Sequence, residues 1–275
     1  MGRTAALRNG SEQIRKEICI SDTPINVAYP AADELHLRIA LGACRFEARP
    51  SEVGLWVTGT GDHPTAKRAP IIRQEGQLVT ISEQEPFLER NPAIFGGVPH
   101  YKLEFGKRRP FALTVETGAS EFDLDLGGVP LKALTVRQGT GRFDLNFSAP
   151  NPVPMNLLEV SSGVTAMALK NLANANFSQM RLAGGAAGYG IYFGGELKRD
   201  AEVEIETGLS GVDIAVPGST AAKIVAHTPL GTSDIGYGLV KREGAFFTEA
   251  GMAGRKPYLT IRARASQGAL QIRAT

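Results

Sequence analysis

The sequence predicts an all-β protein built as a single-stranded parallel β-helix, or β-solenoid, with coils of about 22 residues. Three observations lead to this prediction. Glycines recur at a nearly constant interval, apolar and polar residues alternate on both sides of each recurring glycine, and segments rich in Gly and Pro separate the alternating stretches. Because coils of a solenoid stack at the strand spacing of about 4.8 Å, each period needs short strands joined by tight corners.

The recurring glycines are interpreted as structural corner residues. Six of them follow one another at intervals of 21, 24, 22, 23 and 23 residues, and a seventh occupies the equivalent place in the earlier segment LHLRIALGACRFEA. A corner needs glycine either because φ is positive or because no room is left for a Cβ atom. The seven residues are Gly42, Gly118, Gly139, Gly163, Gly185, Gly208 and Gly231.

Alternation after the glycines indicates half-buried strands. The positions four, six and eight after each of the last six glycines are apolar, with Asn171 as the exception, and polar residues such as Asp123 and Asp213 lie between them. This period of two is that of a strand with one face in the core. An ordinary β-sandwich with glycine-rich turns is the alternative, but repetition of the same offsets favours the solenoid.

We expect two regions along the chain. Residues 1–110 are interpreted as a less regular N-terminal β capping region that is continuous with the solenoid, and residues 111–275 as solenoid repeats with a C-terminal cap. The tail 258–275 alternates again and is expected to close the far end, with Arg262, Arg264 and Arg273 outward to discourage edge-to-edge growth. Residues 10–18 have helix-capping character, and residues 157–176 contain good helix formers but keep the solenoid offsets.

Composition excludes several classes of protein. With 30 basic and 28 acidic residues the formal net charge is +2, so bulk electrostatics does not favour nucleic acid or an anionic membrane. Cys19 and Cys44 are too few for a zinc cluster or a disulfide framework and are expected to be reduced thiols. Neither a signal peptide nor a run of about 18 apolar residues is visible. We therefore expect a cytoplasmic location, or an envelope-associated one if an upstream anchor was removed.

The repeats LTVETGASEFDLDL, LTVRQGTGRFDLNF and VEIETGLSGVDIAV, with the earlier LHLRIALGACRFEA, resemble the toast-rack β-solenoid domain. That domain occurs in bacterial cell-envelope-response proteins of the LiaF type and in related adhesin domains. The resemblance covers roughly residues 30–240 and implies the fold. Proteins of the LiaF type usually carry membrane helices before the solenoid, which this sequence lacks, and the family has no motif of catalytic residues to carry over.

An acidic group is the strongest candidate for chemistry. Asp123 and Asp144 occupy the same offset in successive coils, and Asp125 and Asn146 follow two places later. Four oxygen-bearing side chains in a two-by-two arrangement fit a calcium ion or the paired carboxylates of a β-helix polysaccharide enzyme. Arg142 and nearby Lys132 would partly neutralise the group, and a solvated charged face is the usual outcome on a strand.

Other motifs point to no chemistry. The four histidines, His36, His63, His100 and His227, lack metal-ligand spacing, and AGGAAGYG at 183–190 lacks the GK[ST] of a phosphate loop. The basic run 107–109 has no interleaved aromatic residues and is interpreted as a solvated loop rather than a nucleic-acid site. No catalytic residue, cofactor or firm metal-ligand set is therefore assigned.

Three functional hypotheses remain open. The first is a non-catalytic interaction or scaffold module whose flat β faces bind an unidentified protein or glycan. The second is a carbohydrate-active enzyme or cation-binding protein that uses Asp123, Asp125 or Asp144. The third is a self-assembling scaffold that forms homo-oligomers through its solenoid ends.

Overall fold

The structure is a computed structural model that describes residues 21–63, 69–83 and 98–275. These residues are nearly all in β-strands, which confirms the prediction of an all-β, solenoid-like fold. Within them, the short helical segments are a 3-10 turn at Leu172–Ala175 and helix α1 at Glu249–Met252. The strands are β1 (Ser21–Val27), β2 (His36–Leu41), β3 (Cys44–Ser51), β4 (Val57–His63), β5 (Pro70–Glu75), β6 (Leu78–Glu83), β7 (His100–Gly106), β8 (Phe111–Asp125), β9 (Leu131–Asn146), β10 (Met155–Lys170), β11 (Phe177–Gly184), β12 (Ala187–Tyr192), β13 (Ala201–Val216), β14 (Ala221–His227), β15 (Leu230–Ile235), β16 (Leu239–Arg242), β17 (Ala245–Thr248) and β18 (Tyr258–Ala274).

Two parallel ladders run side by side through the molecule. The first wall has the spatial order β6-β2-β8-β9-β10-β11-β13-β18-β14, and the second wall has the order β7-β3-β8-β9-β10-β12-β13-β18-β15. The long strands β8, β9, β10, β13 and β18 belong to both walls because each one turns a corner near its middle. Antiparallel strands extend the walls: β5 on β6, β4 on β7, β1 on β4, β17 on β14 and β16 on β17.

The core lies between the two walls and is formed by side chains in register. Phe46, Phe122 and Phe143 occupy the same place on successive strands, and their rings pack edge to face at centroid distances of 5.5 and 5.4 Å. Each of these side chains is at least 98% buried. Edge-to-face pairs add about 0.5–1.5 kcal/mol beyond the area they bury, so this column helps to fix the register of the coils.

Six of the seven predicted corner glycines lie above one another at the corner between the walls, and we call this set the glycine column. Its members are Gly42, Gly118, Gly139, Gly163, Gly185 and Gly208. A Cβ atom on Gly139 would lie 2.7 Å from the carbonyl oxygen of Gly118, and one on Gly163 would lie 2.5 Å from that of Gly139. None of the six has a positive φ. Close approach of consecutive coils, and not a left-handed backbone, therefore requires glycine here.

Hydroxyl pairs close the inside of the corner. The Oγ1 atom of Thr117 lies 2.7 Å from the Oγ of Ser120, and the same pair recurs at Thr207 and Ser210, also at 2.7 Å. Each pair joins the last inward residue of the first wall to the first inward residue of the second wall. Only two residues thus form the outside of each corner, for example Gly118 and Ala119.

The far end of the stack differs from the sequence prediction. Gly231 lies outside the glycine column, because it is in register with Gly268 of β18, two places past the corner. The tail does not close the end: β18 lies between β13 on one side and β14 with β15 on the other. Strand β15 ends at Ile235, and Tyr237, expected to point inward, is 98% exposed in the turn that follows. The sequence interval continues through residue 231, but β18 takes the place in space that β14 and β15 would have had.

The arginines of the tail are paired instead of lining an edge. Arg262 lies 3.8 Å from Glu202, and Arg273 lies 2.6 Å from Asp213, in both cases on neighbouring β13. Arg264 is in register with Glu206. These arginines neutralise the acidic outer face of β13, so their alternation reflects cross-strand pairing rather than protection of an edge.

Three further expectations concern residues 157–176, residues 10–18 with Cys19, and the division of the chain at residue 110. Residues 157–176 form β10 and a turn in which Asn171 and Asn176 adopt left-handed φ values of 53° and 57°, so the solenoid offsets prevail over helix propensity. Residues 10–18 and Cys19 lie outside the described residues. The division of the chain at residue 110 stays a prediction.

Replacing Gly163 with alanine is expected to destabilise the protein by about 1–3 kcal/mol, because the new methyl group would overlap the backbone of Gly139. Thermal unfolding followed by circular dichroism measures the effect. Gly211→Ala is the matched control, since its Cβ would meet nothing within 4 Å and its φ is not positive. Equal melting temperatures for the two variants would contradict the role given to the glycine column.

Candidate functional site

The structure brings the predicted acidic group together on the outer face of the second wall. Asp123 is in register with Asp144, and Asp125 is in register with Asn146, so the four side chains form the expected two-by-two arrangement. Lys170 and Arg49 border the same shallow depression. The alternation of the strands thus places these residues correctly, and their chemistry depends on the groups that contact them.

Each oxygen-bearing side chain of this group already has a partner. Arg49 Nη2 lies 2.5 Å from Asp123 Oδ2, and Arg142 Nε donates to Asp144 Oδ2 at 2.7 Å. Asp125 Oδ1 accepts the backbone N–H groups of residues 127 and 148 at 3.0 and 3.1 Å. Asn146 Oδ1 accepts an N–H from the side chain of residue 171 at 2.8 Å. The geometry therefore favours a charge-paired surface, in which Asp125 also holds a loop in place. It does not favour a cation-binding site.

His63 and His100 likewise contact other side chains and not each other. His63 is 3% exposed and its Nε2 lies 2.7 Å from Thr23 Oγ1, while His100 Nε2 lies 2.8 Å from Glu47 Oε1. Across residues 21–63, 69–83 and 98–275, no three His, Cys, Asp or Glu side chains are grouped so that they could hold a metal ion.

Cys44 is 1% exposed, and burial raises the pKa of its thiol, with the charge of Glu83 adding to the effect. A thiol that resists ionisation is a weak nucleophile. The residue is therefore a core side chain of β3.

Basic residues 107–109 stabilise a loop. Arg109 donates to the carbonyl oxygen of Pro30 at 2.7 Å and also to that of Ala32, and Lys107 lies 2.6 Å from Glu52. The run is therefore a loop, as predicted, but Lys107 and Arg109 are half-buried and bonded to other parts of the chain rather than freely solvated.

A concave surface follows the glycine column on the outside of the first wall, and we call it the glycine trough. It has a volume of about 1110 Å³. Eight adjacent strands, from β6 to β18, contribute to it, and seven intervals of about 4.8 Å make it roughly 34 Å long. Glycine backbone and small side chains line much of it, among them Ala40, Ser161 and Ala183, and charged side chains line the rest, namely Glu83, Glu116, Arg137 and Glu206. The trough exists because glycines leave the outer face without side chains.

An exposed apolar row lies beside the trough, one residue past the glycine column, and we call it the apolar ridge. Val164 and Leu209 are each 60% exposed, and Leu230 is 73% exposed. Ala186 lies between the first two, while Gln267 separates Leu209 from Leu230 in register. Sequence analysis did not identify this row. In the sequence, the ridge corresponds to apolar residues directly after the repeat glycines. Alternation of inward and outward residues assigns this position to neither wall.

Glu116 and Arg137, which line the trough, are paired across coils. Glu116 lies 2.6 Å from Arg38 and 3.0 Å from Arg137, and Arg137 lies 3.5 Å from Glu159. Burial opposes ionisation of Glu116, but hydrogen bonds from the two arginines outweigh it and hold the pKa of this carboxyl below its usual range. The first wall therefore carries a continuous ion-pair network along its outer face.

Fold and surface together define a nearly all-β, solenoid-like repeat protein with an elongated concave strip. The model of the family described as the N-terminal domain of toast_rack, DUF2154, matches residues 8–151, which is 144 of 275 residues and thus more than half of the chain. The chain therefore belongs to this family. The resemblance to the toast-rack domain inferred from the repeats is confirmed.

A solved structure shows the same fold. A putative cell adhesion protein from Clostridium sporogenes superimposes with a TM-score of 0.51 at 17% identity, covering 93% of this chain and 100% of that chain. Putative adhesins from Parabacteroides merdae and Bacteroides fragilis match with TM-scores of 0.40 and 0.38, each at 10% identity, covering 93% of this chain and 96% and 97% of theirs. No curated protein matches the sequence.

Within the part of the chain that the structure describes, no helix is long and apolar enough to cross a bilayer.

Millimolar calcium is expected to leave the melting temperature of the protein unchanged, because the oxygens of Asp123, Asp125 and Asp144 are already paired. Differential scanning calorimetry with and without calcium measures this. The matched variant Asp144→Asn should respond in the same way. A calcium-dependent rise in the wild type that Asp144→Asn abolishes would instead establish a cation site.

Glu116→Gln is expected to cost about 0.5–1 kcal/mol of stability near neutral pH, since exposed ion pairs contribute little even in a network. A carboxyl whose pKa is lowered by folding stabilises the folded protein at pH values above its unfolded pKa of about 4.3. This stabilisation is lost as the pH falls through the lower pKa of the folded state. Urea unfolding at neutral and acidic pH should show the difference disappearing in acid. Glu121→Gln, which removes one exposed pair with Arg45, should have a smaller effect.

Proposed function

We propose that this protein is a non-catalytic interaction module of the toast-rack type, and that it contacts its partner through the glycine trough and the apolar ridge, which together form the contact strip. One observation carries the proposal: three exposed apolar residues, Val164, Ala186 and Leu209, follow one another on neighbouring coils beside a concave surface that small residues line in large part. Contiguous apolar surface on a folded protein usually marks an interaction site.

The contrast with the other outer surfaces supports this assignment. The outer rows of the first wall carry paired charges, such as Arg181 with Glu204 at 3.8 Å, and the second wall carries the paired acidic group. Paired, hydrated charges gain little from a partner and cost desolvation when they are covered. Covering Leu209 and Val164 gains about 25 cal/mol for each Å² of apolar area removed from water. Binding free energy is therefore available on the strip.

The proposal includes the finer architecture and a biological setting. We treat the two ladders as one single-stranded parallel β-helix, which the parallel pairing from β2 through β18 supports. Membership of the toast-rack family and likeness in fold to a protein called a putative cell adhesion protein support a role at the cell envelope, in adhesion or in envelope response. The partner is then a protein or glycan of that setting.

Site-specific photo-crosslinking tests the contact strip. A photoreactive amino acid at Ala183 or Ser161, both in the trough, is expected to form adducts in a bacterial envelope extract, either with another molecule or with the protein itself. The matched positions Ala166 and Ala269 lie exposed on the second wall and should form few adducts. Leu209→Arg should reduce the adducts from Ala183. Adducts of equal yield at all four positions, or none in the trough, would contradict the proposal.

A further inference from the structure

We infer that the contact strip binds a second copy of this chain, with two solenoids side by side and the apolar ridge of each lying in the glycine trough of the other. This inference rests on the proposed function, because it uses the same surface and names its partner. The argument depends on the spacing of ridge and trough, their order across the strip and the area available.

Ridge and trough share one spacing because both arise from the stacking of coils. Val164, Ala186 and Leu209 follow one another at the strand spacing of about 4.8 Å, and so do Gly163, Gly185 and Gly208 beside them. An extended peptide has a different repeat along its length, with side chains of one face about 6.6–6.8 Å apart. A second solenoid of this kind is the partner whose side chains keep step with the trough over many coils.

The order of the two features across the strip makes the surface self-complementary. The ridge lies one residue to one side of the glycine column, and the small residues of the trough, such as Ser161 and Ala183, lie to the other side. A two-fold axis parallel to the solenoid axis exchanges the two sides, so each ridge faces the opposite trough. Such an isologous contact uses the same patch on both copies.

Under this symmetry every coil faces its own equivalent in the other copy. Val164 then packs over Ser161 and Gly163 of the second copy, and Leu209 packs over Gly208 with the exposed side chain of Glu206 beside it. Irregular coil lengths, including the insertion of β18, do not disturb the match because both copies share them. Glu116 and Arg137 occupy the same row of the trough on β8 and β9 and pair with each other, so those coils form the charged end of the contact.

The area of the strip predicts a weak dimer. The strip is about four residues wide, or roughly 13 Å, and about 34 Å long, so it covers roughly 400 Å² on each copy. The total of roughly 800 Å² lies below the 1,200–2,000 Å² of stable specific interfaces. We therefore expect reversible dimers with a dissociation constant of roughly 10–1,000 μM, which become significant when many copies are held close together.

Sedimentation equilibrium of the purified full chain from micromolar to millimolar concentration tests the inference. The wild-type mass is expected to rise toward that of a dimer, and Leu209→Arg and Val164→Arg should weaken association at least about tenfold. Val240→Arg is the matched control, because Val240 is 49% exposed on β16, outside the strip, and it should behave as the wild type. Circular dichroism melts establish that all three variants fold.

A disulfide test examines the symmetry directly. With Cys19 replaced by serine, Ser266→Cys is expected to form an intermolecular disulfide under mild oxidation, since Ser266 holds the glycine-column position of β18 and the axis brings this position of both copies together. Ala166→Cys on the second wall should not. Cys44 is buried and does not interfere.

The outcomes separate the inference from the proposed function. A monomer at all concentrations, together with trough-specific adducts to another molecule in the crosslinking experiment, would overturn the second-copy inference and leave the interaction module intact. A dimer that Leu209→Arg and Val164→Arg do not weaken, or that forms no disulfide through Ser266→Cys, would overturn the inference as well. If the wild type neither self-associates nor forms adducts from the trough, both proposals are wrong.

Discussion

The close approach of consecutive coils at the glycine column is the constraint on which the rest of the structure depends. Because a Cβ atom on Gly163 would lie 2.5 Å from the carbonyl oxygen of Gly139, the coils can keep the strand spacing at the corner only with glycine there. That spacing sets the register of both walls, and the register places the Phe46, Phe122 and Phe143 rings in contact. The same missing side chains create the trough, so the requirement of the fold and the candidate site have one origin.

Much of the fold could be predicted from sequence because alternation and corner spacing are local properties. The inward positions after Gly118, Gly139 and Gly208 are buried as expected. The place of β18 could not be predicted, because which strand lies beside β13 is decided by a pairing of 15 register positions between distant segments. For that reason Gly231 follows Gly208 at the usual sequence interval but does not lie in the glycine column.

The candidate sites show the same limit. Alternation correctly placed Asp123 beside Asp144, but the partners that neutralise them come from different distances along the chain. Arg142 is two residues from Asp144, whereas Arg49 reaches Asp123 from a strand 74 residues earlier. The apolar ridge escaped prediction because Val164 and Leu209 follow a glycine at the corner, where the period of two is interrupted. Residues at interruptions of a pattern are the ones that face neither core nor regular surface.

The position of β18 has a consequence for synthesis of the chain. Strands β14 and β15 are made before β18 but pair with it, so residues 221–235 emerge from the ribosome with no neighbour of the parallel ladder to receive them. Coils from β8 to β13 can assemble in order as they appear. The last coil must wait until β18 has also been made, when this strand enters between β13 and the two waiting strands. The order of the coils in space at this end is therefore not the order in which they are synthesised.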